Sequence, residues 1–163
     1  MMMNLERIDQ ALLKQAESGD PAAQFEVSMQ LPLEHEQHIS LLKSAAQNGH
    51  EQAILCMATH ERQQQNIEGT LFWLHQAKDL NNAKAYFLLA EIFKAGEGVS
   101  LDLQQSLEYY KSAADLGDID AAFELFKIYN EGIGVKKDRE IAEKYLNVAK
   151  QNQHIEAASI ELE

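Results

Sequence analysis

With 163 residues, 45% hydrophobic and 25% charged, the chain has the size and composition of one soluble globular domain. A formal charge of -12 at pH 7 sets it against phosphate backbones and anionic lipid headgroups. Nucleic acid and membrane surfaces are therefore excluded as expected partners, and a protein or peptide with a basic patch is favoured. The single cysteine, Cys56, rules out an internal disulfide. The N-terminal run MMMNLERIDQ lacks a basic stretch followed by an apolar one, so a cytoplasmic protein is expected.

Taken in chain order, residues 4–18 read as a lone helix, and four helix pairs follow over residues 19–48, 49–80, 81–116 and 117–152. Residues 153–163 hold a short closing helix from Ile155 to Leu162. Each pair is placed by a small residue that opens its first helix, at Ala23, Ala53, Ala85 and Ala121, with Ala157 opening the last segment. The spacings are 30, 32, 36 and 36 residues. Four residues before each stands a turn residue: Gly19, Gly49, Asn81, Gly117 and Gln153. Gly and Asn suit a helix end that closes in the left-handed conformation, whereas Gln153 lacks that freedom and its turn is expected to close differently. The second helices align on Leu41, Trp73, Tyr109 and Tyr145, each followed four residues on by Ala45, Ala77, Ala113 and Ala149. A large residue one turn before a small one lets neighbouring helices interlock. Asp102 and Asp138 precede two of these helices and suit N-caps. No stretch alternates with period two, and Ala, Leu, Glu, Gln and Lys are plentiful, so the chain is expected to be all-α.

The repetition is closest between Ala85 to Val99 and Ala121 to Val135, at an offset of 36 residues that continues through the second helices. Each unit is an amphipathic helix, a Gly-x-Gly-Val loop, a second helix and a short turn. One such unit cannot cover its own apolar stripe, and stacking several buries a continuous core, which makes an α-solenoid. The Ala-opened first helix, Gly-x-Gly-Val, Asp-led second helix and Ala-Ala-x-x-Gly together resemble the Sel1-like repeat, a relative of the tetratricopeptide repeat. The resemblance is strong from Ala83 to Ala158 and traceable from Leu5 to Asn82. It implies a right-handed solenoid, with residues 1–163 as a single repeat domain, and the role of an adaptor. The first two units depart from it, with Leu31-Pro-Leu-Glu and His60-Glu-Arg-Gln-Gln-Gln in place of the Gly-x-Gly-Val loop. Phe126 stands where Ser28, Ala58 and Ala90 stand in the other units, so the helix contact there should widen or face an altered neighbour.

Chemistry is sparse. Gly96-Glu-Gly98 and Gly132-Ile-Gly134 follow helices, so they read as tight turns needing positive φ and not as phosphate loops. His35 and His38 could sit on one side of a helix or turn, but no third metal ligand accompanies them and a solvated polar segment is expected. His50, His60, His75 and His154 read as surface residues. Cys56 and His60, one turn apart, are the only local nucleophile–base candidate, and a small buried hydrophobe is the expected role of the cysteine. Some Sel1-like proteins are cysteine-rich, secreted and β-lactam-binding; one cysteine and no signal peptide set this chain apart from them. No catalytic residue, cofactor or metal is expected, and the protein is read as non-enzymatic.

In tetratricopeptide-like solenoids the first helix of each pair lines the concave face. Counting from the opening alanine, positions four, five and eight face the core, as at Leu89, Ala90 and Phe93. Positions three, six and seven then turn towards the groove. They are Glu26, Met29 and Gln30; Cys56, Thr59 and His60; Leu88, Glu91 and Ile92; and Glu124, Lys127 and Ile128, with Ile92 and Ile128 expected to pack inward. The remaining ten form an acidic, partly apolar surface suited to a partner helix or extended peptide with apolar anchors and basic flanks. The expected function is a protein-interaction adaptor. A bacterial immunity protein that blocks a toxin is a narrower alternative, a hydrolase or β-lactam-binding enzyme a remote one, and exposed solenoid ends would also allow a homodimer.

Overall fold

The computed structural model describes residues 8–161, and within them the chain is helical with no strand. Two compact units divide it, residues 1–80 and 81–163. In the first lie α1 (Gln10–Glu17), α2 (Pro21–Gln30), α3 (Glu36–Gln47), α4 (Glu51–Gln63) and α5 (Ile67–Asp79). The second holds α6 (Ala83–Ala95), α7 (Leu103–Asp115), α8 (Ile119–Glu131), α9 (Arg139–Gln151) and the single turn α10 (Ile155–Ala158). Within each unit, helices that follow one another in sequence pack together, as short connections require. Residues 4–7 of the expected first helix and Leu162 of the last lie outside the described residues.

One device starts all five helices that open on a small residue. The side chain three positions ahead accepts a hydrogen bond from the backbone N–H of the opening alanine: Asp20 from Ala23 at 2.7 Å, His50 from Ala53 at 3.3 Å, Asn82 from Ala85 at 2.9 Å, Asp118 from Ala121 at 2.8 Å and His154 from Ala157 at 3.3 Å. Each cap fills a donor left open by the helix geometry, and each alanine is buried against its neighbours. The residue before each cap sits at positive φ. Gln153 does so too, at 63°, correcting the expectation that its turn closes differently. His154 N–H donates to Ala149 O at 2.9 Å and Gln153 N–H to Lys150 O at 3.0 Å, the same pair of bonds that His50 and Gly49 make to Ala45 and Ala46. Satisfying two helix-end carbonyls offsets the strain of a left-handed glutamine. Asp102 and Asp138 cap α7 and α9 as expected.

The core follows the repeat. Val27, Met57, Leu89 and Leu125 at position four are buried, and so are Ser28, Ala58, Ala90 and Phe126 at position five. Ala45, Ala77, Ala113 and Ala149 are each fully enclosed, but the large residues deepest in the second helices are Leu42, Leu74, Tyr110 and Leu146, one place after those picked out by the sequence pattern. Of the latter only Trp73 is buried, while Leu41, Tyr109 and Tyr145 are half-buried. Phe126 joins a cluster with Ala142, which stands where the other pairs hold His38, Thr70 and Ser106, and it stacks on Phe123 at 5.8 Å. Four residues before each of the large second-helix positions stand His38, Thr70, Ser106 and Ala142, all buried. Ser106 Oγ donates to Ala90 O at 2.8 Å, and His38 Nδ1 donates to Ser28 O, also at 2.8 Å, so two repeats tie their paired helices through the same backbone carbonyl.

Candidate partner-binding site

A cavity of about 440 Å³ opens in the first unit, between α2, α3 and α4. Met29 of α2 and Leu33 of the following loop stand at it, and both are largely exposed, at 48% and 76%. The loop arises because Leu31 precedes Pro32, which forbids a further helical turn, and Leu31 is extended at φ -88°, ψ 144°. His38, Ile39 and Leu42 of α3 form another wall, and Leu55, Cys56, Thr59, His60 and Gln63 of α4 the third. Those five follow one face of a helix at spacings of three and four. Four of the six groove residues expected in this unit, Met29, Cys56, Thr59 and His60, are thus brought to one cavity. Glu26 and Gln30 are exposed on α2 outside its lining. The lining contains no Asp, Glu, Lys or Arg.

The groove residues expected in the second unit meet a different fate. Lys94 Nζ lies 3.0 Å from Glu91 Oε1 and 2.9 Å from Glu124 Oε2, and donates to the Tyr110 hydroxyl at 3.0 Å; Tyr110 in turn donates to Glu91. Lys127 pairs with the other oxygen of Glu124. Burial works against the Lys94 ammonium, but hydrogen bonds from it to Glu124 and Glu91 outweigh that cost and hold its pKa above the ordinary lysine value. Burial likewise disfavours the Glu124 carboxylate, and Lys127 and Lys94 more than compensate, lowering its pKa. Glu91, Glu124 and Lys127 are therefore spent on one another and on Lys94, which the helix-face count leaves out. Leu88 is half-buried, while Ile92 and Ile128 point inward as expected.

The histidines depart furthest from the surface roles expected of them. His38 is not solvated: it is 4% exposed and engaged with α2. His35 instead accepts from Gln37 N–H at 3.2 Å as the cap of α3, so the two rings serve separate tasks. Among the described residues no group of three His, Cys, Asp or Glu side chains could hold a metal ion. Nor are the others simple surface residues. His50 stacks on Phe25 with centroids 4.4 Å apart, His154 on Phe123 at 4.2 Å, His60 lines the cavity, and burial followed by the nearby Lys78 lowers the pKa of half-buried His75. Burial raises the Cys56 thiol pKa, the opposite of what an activated nucleophile needs. Gly96, Gly98, Gly132 and Gly134 all take positive φ in helix-to-helix turns. Among the described residues no helix is long and apolar enough to cross a membrane.

Helix pairs that repeat a cap, a left-handed turn and a buried alanine define a helical-repeat protein. The particular repeat is Sel1: the family model matches twice, and the chain carries two Sel1 repeats, at residues 83–118 and 119–154. A Sel1 repeat protein from Oxalobacter formigenes is similar in structure, with a TM-score of 0.82 at 24% identity, over 91% of this chain and 63% of that one. A protective antigen present in uropathogenic Escherichia coli strains, displaying an SLR fold, is similar with a TM-score of 0.78 at 23% identity, over 91% of this chain and 34% of that one. The chain thus spans less than two thirds of the length of either protein, and at these identities the likeness is one of fold. A search of curated protein sequences finds no match.

Proposed function

We propose that the protein is a non-enzymatic adaptor that holds an apolar segment of a partner protein in the cavity between α2, α3 and α4. Proteins with Sel1 and tetratricopeptide-like repeats generally mediate protein–protein interaction. The observation that carries the reading to this site is the cavity itself, where Met29, Cys56, Thr59 and His60 converge on a largely apolar lining without Asp, Glu, Lys or Arg. An apolar hollow with a few polar groups at its wall suits an anchoring side chain of a partner. The chain as a whole is acidic, and Glu26 is exposed on α2 one helical turn before Met29. That favours basic residues flanking the anchor and speeds their encounter. Glu91 and Glu124 are left out of this reading because Lys94 and Lys127 already neutralise them.

Affinity capture from the native cell lysate tests it, with the full chain, Thr59→Arg and Leu116→Arg as baits. Thr59 is exposed and its hydroxyl donates only to Leu55 O of its own helix, so an arginine there obstructs the cavity without disturbing the core. The partner should be lost with Thr59→Arg, retained with Leu116→Arg and weakened by salt. A partner indifferent to Thr59→Arg would overturn the site. If the captured protein were a toxic enzyme, the adaptor would be an immunity protein.

A further inference from the structure

In the third repeat pair a serine suffices to bond α7 to the Ala90 carbonyl, yet the matching place in the first pair holds a histidine. A carbonyl oxygen only accepts, so His38 Nδ1 carries the hydrogen and Nε2 of the neutral ring is an acceptor. Among the described residues Nδ1 to Ser28 O is the only hydrogen bond of this imidazole. No buried side-chain nitrogen or oxygen among them is without a partner, so Nε2 keeps some exposure, and His38 is one of the residues that line the cavity. A side chain 4% exposed thus carries one acceptor without a partner in the fold, at the wall of a hollow that holds no Asp, Glu, Lys or Arg, and leaving such a group unpaired when the hollow is filled is costly.

We propose that the cavity is the receptor for a tryptophan side chain of the partner polypeptide, its indole N–H donated to His38 Nε2. The inference rests on the partner-binding reading above and names the anchor. A lysine or arginine would bring a charge to walls that hold no carboxylate. Leucine or phenylalanine would bury the acceptor unpaired. Tyrosine could donate, but its oxygen would keep lone pairs of its own, whereas indole has a single polar group, a donor. Free tryptophan is a zwitterion with no countercharges in the lining, so the side chain must arrive on a peptide backbone. A second copy of this chain does not supply it, since Trp73 is the only tryptophan and is 5% exposed.

The test is a nuclear magnetic resonance titration of the isotopically labelled full chain. The probes are a blocked nonapeptide of alternating lysine and alanine with one central tryptophan, and its 1-methyltryptophan analogue. The tryptophan peptide should shift the amides of Leu42, Cys56 and Thr59 and bind about three- to tenfold more tightly than the analogue. In His38→Ser, which keeps a donor for the Ser28 carbonyl and removes Nε2, that preference should vanish. Equal binding of both peptides to the wild type, a preference that survives His38→Ser, or no shift at the cavity would overturn the assignment. Should His38→Ser fail to fold, the wild-type comparison decides alone. Free indole binding as tightly as the peptide would also overturn it, in favour of a small molecule. A lysate partner lost with Thr59→Arg, beside peptides that do not discriminate, would remove the tryptophan and leave the partner-binding site standing.

Discussion

Asp118, with its carboxylate 2.8 Å from the Ala121 amide, shows how much one side chain decides here. Asp118→Ala removes the acceptor and should cost about 1 kcal/mol in a denaturant titration, with the slope unchanged. Gly49 stands at φ +85° with nothing within 4 Å of where a Cβ would stand, so Gly49→Ala would meet backbone strain and no clash. A loss of about 1 kcal/mol is expected by the same measurement; no loss would mean the turn can relax. The five turn positions were legible in the sequence because their spacing to the buried alanines is fixed. The caps at His50 and His154 were not, because an imidazole is an uncommon cap and only the structure shows its nitrogen aimed at the alanine amide. Gln153 misled for a related reason: residue preference alone omits the two hydrogen bonds that hold it left-handed.

Between elements, charge pairing decided what helix position could not. Position along the first helices marks Glu91 and Glu124 as groove surface, but helical geometry sets Lys94 one turn from Glu91 and packing brings it to Glu124 on α8. Lys94→Met should destabilise the second unit and make Glu124 easier to protonate. Because the folded Glu124 pKa is lowered, its contribution is present above the unfolded carboxylate value and lost as pH falls through the folded one. The wild type should therefore lose stability below about pH 4.5 more steeply than Lys94→Met in acid titrations followed by circular dichroism. The raised Lys94 pKa works in the other direction: its contribution is intact below 10.5 and lost as pH rises through the folded value. Identical acid limbs would show that the pairing contributes nothing to folding. Helix existence and order were readable from periodicity. The shift of the deepest residues to Leu42, Leu74, Tyr110 and Leu146 was not, since two adjacent large residues flank the same stripe and only packing chooses between them.

Over the described residues, the repeat explains the helices and its irregularities shape the cavity. The 36-residue match made the second half plain in the sequence, and the family model matches there. The cavity forms in the first unit, where Leu31-Pro32 replaces the glycine loop and His38 occupies a place given to Thr70, Ser106 and Ala142 elsewhere. Met29, Cys56, Thr59 and His60 of the lining follow from their place on the first helices, whereas His38 and Leu42 lie on a second helix and Leu55 at position two of its own, outside the positions that face a groove. Whether a partner protein is held at this cavity is decided by photocrosslinking in the native cell, with a benzoylphenylalanine placed at Thr59, at Met29 or at Leu116. Thr59 and Met29 should crosslink to one and the same protein and exposed Leu116 of the second unit to none of it; a specific crosslink at Leu116 alone would contradict a partner seated between α2, α3 and α4.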